Sequence, residues 1–283
     1  MNGTRRISLS RRACSALFTL SALFAFGCAD LSSFEQDELS SEDKILGGEN
    51  GRAPQWMVSL RAGNAHICGG SLIKKNWVLT AAHCVDAFPK QQLSVCVGRT
   101  RRDRCRRQDI ARVEQIRIHS GWNGDAANGN DIALLRLSRD FNRRLAALAT
   151  ERQEPRAGAL VTARGWGVHR YRRGEGQLPK TMQQIEIPFV TPSDCRAIWG
   201  DIGLSIPRSA SQKLVCTEML GRPGRVSRGG VCHGDSGGPL TANGRQIGLV
   251  SFGPSIDGQC VAGAPAVFTR ISKFRRWISN NTR

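Results

Sequence analysis

Residues 230–239, which read GVCHGDSGGP, constrain the fold of this chain more than any other stretch. They place one serine, Ser236, among four glycines and a proline, so the backbone can turn sharply and leave N–H groups uncovered. A serine in such a turn can act as a nucleophile when a base removes its proton and backbone N–H groups face the developing oxyanion. The alternative is a glycine-rich turn whose serine has no chemical role. The stretch therefore predicts a tight loop that presents a candidate nucleophile.

Two further segments supply the partners that such a serine needs. His83 follows the apolar run 77–79, and Asp131 precedes the strand-like run 132–135. With Ser236 they stand in the order His, Asp, Ser along the chain, which is one of the known orders of a catalytic triad. In these three motifs the sequence resembles the trypsin/chymotrypsin family of serine endopeptidases, from residue 45 to about residue 278.

The resemblance implies a role for each residue of the site. His83 would be the general base toward Ser236 and then the general acid toward the leaving amine. Asp131 would orient the imidazole, and Ser251 would steady the aspartate. The backbone N–H groups of Gly234 and Ser236 would form the oxyanion hole. A cationic homologue without activity is the alternative, but such homologues generally lack the histidine or the serine.

The resemblance also places the primary specificity pocket on Gly230, Val231, Ser251, Phe252, Gly253 and Ala266. Gly230 stands where trypsins carry an aspartate, so a Lys or Arg side chain of the substrate would bury an unpaired charge. Val231 narrows the base. We therefore expect cleavage after small and medium apolar residues (Val, Ala, Leu, Met), as in the elastase branch. Cleavage after large apolar residues, as in chymotrypsin, stays open because apolar pockets discriminate weakly.

Residues 1–28 predict a signal peptide, since basic residues precede the apolar run 16–26. This run is shorter than the roughly 20 residues that span a bilayer, so we expect export. The end of the run also resembles a bacterial lipoprotein signal, in which Cys28 would be lipidated. Ordinary cleavage near Gly27 or Ala29 is the alternative. We expect a secreted protein, with a membrane tether through Cys28 as a further possibility before activation.

Residues 29–44 are short and acidic, as in an activation propeptide. Lys44 precedes Ile45, and the sequence ILGG that follows resembles the new amino terminus of an activated family member. The freed ammonium group of Ile45 would pair with the carboxylate of Asp235. The chain is therefore predicted to be a zymogen cleaved between Lys44 and Ile45. Because the pocket rejects lysine, a separate trypsin-like protease would make this cut.

The protease domain is assigned to residues 45–283, and its pattern indicates an all-β fold. Short apolar runs such as 56–60, 115–118 and 247–252 alternate with glycine-rich turns. Apolar residues at helical spacing predict one helix over 271–278, capping the second half of the domain. The resemblance implies two six-stranded antiparallel β-barrels with the active site in the cleft between them.

Eight of the ten cysteines follow residue 28, and an even number in an exported chain predicts disulfides. By resemblance, Cys68 pairs with Cys84, Cys195 with Cys216, and Cys232 with Cys260, which leaves Cys96 with Cys105. Zinc is not expected, because no short double-cysteine or paired-histidine motif is present. Calcium is not expected either, since segment 99–107 holds six arginines and one aspartate. No cofactor is predicted.

The part of the chain after residue 44 is strongly basic. Residues 1–44 hold five of the 41 basic and six of the 23 acidic residues, which leaves 36 against 17, a net charge of +19. Arginines cluster at 99–107, 143–144, 170–173 and 222–228. Such a surface attracts anionic polymers or envelope lipids, or it is only a solvated face. The expected partners are protein and peptide substrates and the activating protease, and we expect a monomer. The other histidines (His66, His119, His169 and His233) are expected to be structural or exposed.

Overall fold

Short apolar runs form strands throughout residues 46–283, the part of the chain that the computed structural model describes. The predictions for residues 1–28, for the segment 29–44 and for Lys44 and Ile45 lie outside these described residues. The first described strand, β1 (Glu49–Asn50), pairs antiparallel with a strand of the second barrel.

The first barrel is built from β2 (Met57–Ala62), β3 (Ala65–Lys74), β4 (Trp77–Thr80), β5 (Leu93–Val97), β6 (Ile110–Ile118) and β7 (Ala133–Leu137). Its strands are hydrogen-bonded in the order β2-β3-β4-β7-β6-β5, and the pairing of β2 with β5 closes the ring. Closure leaves no free sheet edge. Valine and leucine side chains fill the interior, among them Val58, Leu72, Val78 and Leu135, all 0 % exposed.

The second half of the chain contains β8 (Leu160–Gly165), β9 (Arg170–Arg172), β10 (Glu175–Gln177), β11 (Gln183–Val190), β12 (Leu214–Thr217), β13 (Pro239–Ala242), β14 (Arg245–Phe252), β15 (Ser255–Ile256), β16 (Gln259–Cys260) and β17 (Ala266–Arg270). Six of these strands form the second antiparallel barrel, in the order β8-β11-β12-β17-β14-β13 with β13 returning to β8. Strands β9 and β10 form a hairpin, and so do β15 and β16. The predicted architecture of two six-stranded barrels is confirmed.

Within residues 46–283, three α-helices accompany the barrels: α1 (Pro192–Asp201), α2 (Arg208–Ser211) and α3 (Ile271–Asn281). Single 3₁₀ turns cover Lys90–Gln92, Arg107–Asp109, Ala126–Asn128 and Glu151–Gln153. Thr191 caps α1 by accepting a hydrogen bond from the N–H of Asp194, and Pro192 begins the helix. The sequence pattern did not predict α1, because its apolar side chains form only a weak stripe.

The helix predicted over 271–278 is confirmed as α3, but it contacts both barrels rather than only the second. Its buried side chains are Ile271, Phe274 and Ile278. They pack in one cluster with Leu134 of the first barrel and Leu249 of the second. Each such side chain contributes about 1.5–3 kcal/mol of burial free energy. The helix therefore fixes the two barrels relative to each other and so fixes the cleft between them.

Candidate active site

His83 and Asp131 meet because the strands beside them pair. Strand β4 ends at Thr80, which lies opposite Ala133 at the start of the antiparallel strand β7. The loop after β4 and the residues before β7 are therefore neighbours in space. Nδ1 of His83 donates to Oδ2 of Asp131 at 2.7 Å, and the backbone N–H of His83 donates to Oδ1 at 3.0 Å.

The second barrel completes the environment of Asp131, which is 0 % exposed. The hydroxyl of Ser251, on β14, donates to its Oδ2 at 2.6 Å. The hydroxyl of Thr269, on β17, donates to its backbone oxygen at 2.8 Å. The carboxylate thus accepts three hydrogen bonds from His83 and Ser251, which offsets the cost of burying its charge.

The electrostatic balance at His83 makes its ring a stronger base than an ordinary histidine. Burial of His83 lowers its pKa, but the hydrogen bond and the charge of Asp131, helped by Asp86, outweigh burial and raise the pKa above the ordinary 6.5. Because Nδ1 points at the carboxylate, Nε2 is the nitrogen left to exchange a proton with a neighbouring group.

Ser236 lies on the same cavity as His83. Its loop is anchored to the first barrel, because the N–H of Gly69 donates to the backbone oxygen of Ser236 at 2.7 Å. Gly237 has a φ of 71°, and a Cβ there would lie 2.2 Å from Oγ1 of Thr80. Only glycine fits this contact between the barrels. The predicted tight turn is therefore required by the close approach of the barrels.

The N–H groups of Gly234 and Ser236 donate to no acceptor among residues 46–283. Gly234 has a φ of 95°, a left-handed conformation that suits glycine. Its backbone oxygen instead faces the first barrel, where Nε2 of His66 lies 2.9 Å away. The two free N–H groups are thus available to an anion in the cleft.

Asp235 is directed away from the cleft and is 1 % exposed. Its carboxylate accepts hydrogen bonds from the N–H groups of Gly167 at 2.7 Å and Cys232 at 3.0 Å. Burial raises its pKa to about 6, although both hydrogen bonds oppose this shift. Within the described residues the carboxylate has no cationic partner. Leu46 is buried beside this loop, and its oxygen accepts from the N–H of Gly230 at 3.1 Å.

Next to Ser236 lies a cavity of about 240 Å³. Four of the six predicted pocket residues line it, namely Val231, Ser251, Phe252 and Gly253, together with His83, Cys232, His233, Ser236, Val250, Pro254, Ser255 and Cys260. No acidic side chain is among these lining residues. A substrate side chain that enters here meets mainly apolar groups and the disulfide sulfurs.

The other two predicted pocket residues, Gly230 and Ala266, do not line this cavity. Gly230 is buried with a φ of 138°, and a Cβ there would lie 2.5 Å from Sδ of Met219. Ala266 is 0 % exposed on β17, and it lies behind Gly253, whose Cβ would be 3.9 Å from Ala266. Both residues therefore support the pocket wall from outside.

A second, larger cavity of about 610 Å³ adjoins the first. The two share the segment 252–255, and the larger one is also lined by Trp199, Ile202, Leu204 and Ile206. Leu204 is 53 % exposed, so this apolar wall is open to solvent. The apolar character of the cleft thus extends beyond the first cavity.

Two residues with contacts at the site escaped the sequence analysis. The hydroxyl of Tyr171 accepts from the N–H of Cys260 at 2.8 Å and lies 3.2 Å from Sγ of Cys232. Tyr171 lies on β9 within an arginine-rich hairpin, where nothing in the sequence pattern marks it. His66 is buried, and Nδ1 lies 2.8 Å from Oγ of Ser59. It was expected only to be one of the structural or exposed histidines.

The four predicted disulfides, Cys68–Cys84, Cys96–Cys105, Cys195–Cys216 and Cys232–Cys260, are all present. In the described residues, two groups place a histidine near cysteine sulfurs: Cys68, His83 and Cys84, and Cys232, His233 and Cys260. In both groups the cysteines are bonded to each other, so they offer no thiolate to a metal ion. No helix among the described residues is long and apolar enough to cross a membrane.

Comparison with known proteins matches residues 45–278 to the family model named Trypsin. Chymotrypsin-2 of Vespa crabro is 35 % identical over 251 residues, with 84 % of this chain and 99 % of the relative covered. Chymotrypsin-like elastase family member 1 of Canis lupus familiaris is 34 % identical over 267 residues, covering 87 % and 95 %. A solved structure of neuropsin, a serine protease of mouse brain, superposes with a TM-score of 0.67 at 27 % identity, covering 83 % of this chain and 99 % of neuropsin.

Proposed function

The chain belongs to the trypsin family of serine endopeptidases, and we propose that Ser236, His83 and Asp131 carry out its peptide hydrolysis. The observation that supports these roles most strongly is the buried carboxylate of Asp131. It accepts from Nδ1 of His83 at 2.7 Å while Ser251 holds the same oxygen. This arrangement leaves Nε2 of His83 free of Asp131, and His83 and Ser236 line the same cavity.

The proposed reaction has two halves. Oγ of Ser236 attacks the scissile carbonyl carbon while Nε2 of His83 takes the hydroxyl proton, and the resulting imidazolium is stabilised by Asp131. The imidazolium then gives its proton to the leaving amine as the C–N bond breaks. Water attacks the acyl-enzyme in the same way, and Ser236 regains its proton as the acid product leaves.

The developing oxyanion would be bound by the N–H groups of Gly234 and Ser236. Both are free of other acceptors in residues 46–283, and preorganised donors of this kind contribute about 3–4 kcal/mol each to transition-state stabilisation. The oxygen of His233 accepts from the N–H of Val168 at 2.8 Å, which supports this assignment because it holds the peptide unit that carries the N–H of Gly234. The hydrogen bond between His66 and the oxygen of Gly234 holds the peptide unit that follows.

We further propose that the preferred residue before the scissile bond is apolar and of small or medium size. The cavity of about 240 Å³ has no acidic lining residue, and Val231 is one of the apolar side chains that line it. Of the compared relatives, one is named as an elastase and one as a chymotrypsin, so cleavage after larger apolar residues is the second candidate. Gly230 and Ala266 would act on this preference only through the wall that they support.

Activation by a cut between Lys44 and Ile45 is supported by the state of Asp235. This carboxylate is buried without a cationic partner in the described residues, and Leu46 is seated beside its loop. The ammonium group of a freed Ile45 would supply the missing charge. We propose that the protein is secreted, works as a monomer and depends on a separate protease that cleaves after lysine.

The strongly basic surface supports a weaker proposal, which is attraction to anionic polymers or envelope lipids. A cationic protein without catalytic activity is the rival function. Labelling by a fluorophosphonate probe after cleavage at Lys44 separates the two, since only an activated Ser236 reacts covalently. We expect labelling of the cleaved chain and none of the Ser236→Ala variant, and an unlabelled cleaved chain would exclude the hydrolase.

The specificity is tested with para-nitroanilides that carry Ala, Val, Leu, Met, Phe or Arg. We expect the highest kcat/KM among the first four and the lowest for Arg. A faster reaction with Phe would favour the chymotrypsin-like alternative, and a faster reaction with Arg would exclude both.

A further inference from the structure

Residues 202–207, here called the helix connection, join α1 to α2 without helix or strand structure. Four residues in succession, 202–205, are exposed, and Leu204 is 53 % exposed. Gly203 has a φ of 82°, and Ser205 is small, so neither residue hinders a change of backbone conformation. Exposed connections with small residues are preferred sites of proteolytic cleavage.

Few hydrogen bonds hold the helix connection. The N–H of Leu204 donates to the oxygen of Trp199 at 2.9 Å. Beyond Leu204, the N–H groups of Ser205 and Ile206 donate to no acceptor in the described part of the chain. The end of the connection is anchored by Ile206, whose side chain is 4 % exposed and whose oxygen accepts from Nε of Arg196 at 3.3 Å. Local opening therefore needs the release of mainly one side chain, that of Ile206.

Leu204 carries a side chain that the proposed pocket accepts. The cavity beside Ser236 has no acidic lining residue, and leucine is one of the medium apolar residues expected before the scissile bond. An enzyme specific for lysine or arginine would find no site here, because residues 202–207 include no basic residue. The exposed leucine of a loosely held connection is therefore matched to the enzyme's own specificity.

The exposed large apolar residues elsewhere in residues 46–283 are less suited to cleavage. Four of them belong to strands or isolated bridges, whose hydrogen bonds would have to break first: Leu160, Leu220, Val226 and Ile256. Leu145 is 41 % exposed outside helices and strands. The next residue is held, however, because the N–H of Ala146 donates to the oxygen of Leu72 at 2.8 Å. Leu145 therefore provides a matched control for Leu204.

A disulfide encloses the helix connection. Cys195, in α1, is bonded to Cys216, in β12, so a cut after Leu204 falls inside the closed loop. The two resulting parts of the chain stay covalently joined. Leu204 also lines the larger cavity of about 610 Å³, so the same cut interrupts the apolar wall of that cavity.

We infer that the peptide bond between Leu204 and Ser205 is a self-cleavage site, cut by a second molecule of the enzyme. Ser236 of that molecule attacks the carbonyl carbon of Leu204, and the C–N bond to Ser205 breaks as His83 protonates the leaving nitrogen. Water then hydrolyses the acyl-enzyme, which leaves a carboxylate on Leu204 and an ammonium group on Ser205. The inference rests on the proposed apolar specificity. Its product is an enzyme of two chains, joined through Cys195 and Cys216.

The experiment follows cleavage of the inactive Ser236→Ala protein by a small amount of the active protein. The substrate protein carries a carboxyl-terminal tag, and its fragments are identified by mass spectrometry and on gels run with and without a reducing agent. We expect a cut between Leu204 and Ser205 that adds the mass of one water. The two fragments should separate only after reduction.

Three variants of the Ser236→Ala substrate test the assignment. Leu204→Asp should slow this cut at least about 100-fold, because an apolar pocket would bury an unpaired carboxylate. Leu204→Met should be cut at a rate within about threefold of the parent, since the pocket accepts a side chain of similar size. Leu145→Asp is the matched control and should change the rate less than about twofold.

Equal rates for the Leu204→Asp and Leu145→Asp substrates would overturn the inference, and so would a first cut elsewhere in residues 45–283. Fragments that separate without reduction would exclude the joined two-chain product. An active protein that reacts with a fluorophosphonate but leaves the Ser236→Ala substrate uncut would overturn this inference alone. A protein that does not react with the fluorophosphonate would instead refute the proposed function, and this inference with it.

Discussion

Nε2 of His66 lies 2.9 Å from the backbone oxygen of Gly234, although 168 positions separate the two residues in the chain. A carbonyl oxygen only accepts, so Nε2 carries the proton, and Nδ1 accepts from the hydroxyl of Ser59. Burial lowers the pKa of His66 to about 4. A neutral histidine of the first barrel therefore holds the glycine that is proposed to bind the oxyanion.

This contact predicts acid sensitivity of the fold. In the unfolded chain His66 binds a proton near pH 6.5, whereas in the folded chain it does so only near pH 4. Its contribution to stability is thus present above pH 6.5 and is lost as the pH falls toward 4, by up to about 3 kcal/mol. Urea unfolding of the Ser236→Ala protein at pH 7 and at pH 4.5 measures this loss in the free energy of unfolding. The His66→Gln variant keeps a hydrogen-bond donor for the oxygen of Gly234, and its free energy of unfolding should depend less on pH. If the variant shows the same pH dependence as the parent protein, His66 is not the cause.

Asp131→Asn should lower kcat by about 10⁴-fold with little change in the fold, because a neutral amide cannot stabilise the imidazolium. The pH profile supplies a second readout. With Asp131 present, activity should rise with pH through a midpoint above 6.5, where His83 loses its proton. Without the charge of Asp131, burial lowers the pKa of His83, so the midpoint of the activity profile should move to lower pH. A profile that does not move would argue against His83 as the base.

Gly253→Val should narrow the pocket without disturbing the fold. A Cβ at Gly253 meets only Ala266 at 3.9 Å, an ordinary contact, and the remaining methyl groups would enter the cavity. We expect kcat/KM for a Phe substrate to fall about tenfold more than for an Ala substrate. Gly200→Val is the control, since a Cβ there meets nothing within 4 Å. Equal losses for both substrates would show that Gly253 does not border the pocket.

Tyr171→Phe removes the acceptor for the N–H of Cys260, so we expect a loss of about 1 kcal/mol in the free energy of unfolding. Because Cys232 and Cys260 line the cavity, kcat/KM for the preferred anilide should also fall. Arg172→Ala on the same hairpin is exposed and tests for a general effect of disturbing it. If both variants behave alike, the hydroxyl has no special part in holding the pocket wall.

The precursor and the cleaved chain should differ in how stability depends on pH. Burial raises the pKa of Asp235 to about 6 from 3.8, so a precursor without a partner for this group loses stability as the pH rises from about 4 to 6. In the cleaved chain, pairing with the freed Ile45 ammonium should restore the lost stability, up to the pH near 8 at which the amine deprotonates. Thermal unfolding of the Ser236→Ala protein before and after cleavage at Lys44, at pH 4.5 and 7, measures the difference. A constant difference would oppose the ion pair.

Much of the fold could be read from the sequence because the signals are local. Alternating apolar runs specify strands, and the spacing of Ile271, Phe274 and Ile278 specifies a helix. The prediction that this helix packs only on the second barrel was wrong, because it packs on both barrels. Helical periodicity shows which face of a helix is buried but not which surface covers that face. The contacts of Gly230, Ala266 and Tyr171 were likewise not predictable, because each depends on a residue of another element of the fold.

The sequence by itself determined the candidate catalytic residues and the family resemblance, because both depend on residue types in a characteristic order. The resemblance in turn implied the two-barrel architecture and the disulfide pairs. Only the tertiary structure decided which predicted residues reach the cavity, that His66 holds Gly234, and that residues 228–230 meet the start of the described chain. Those relationships depend on how the two closed barrels and the shared helix pack. Packing brings together atoms that are far apart in the chain, and no local sequence pattern marks such pairs.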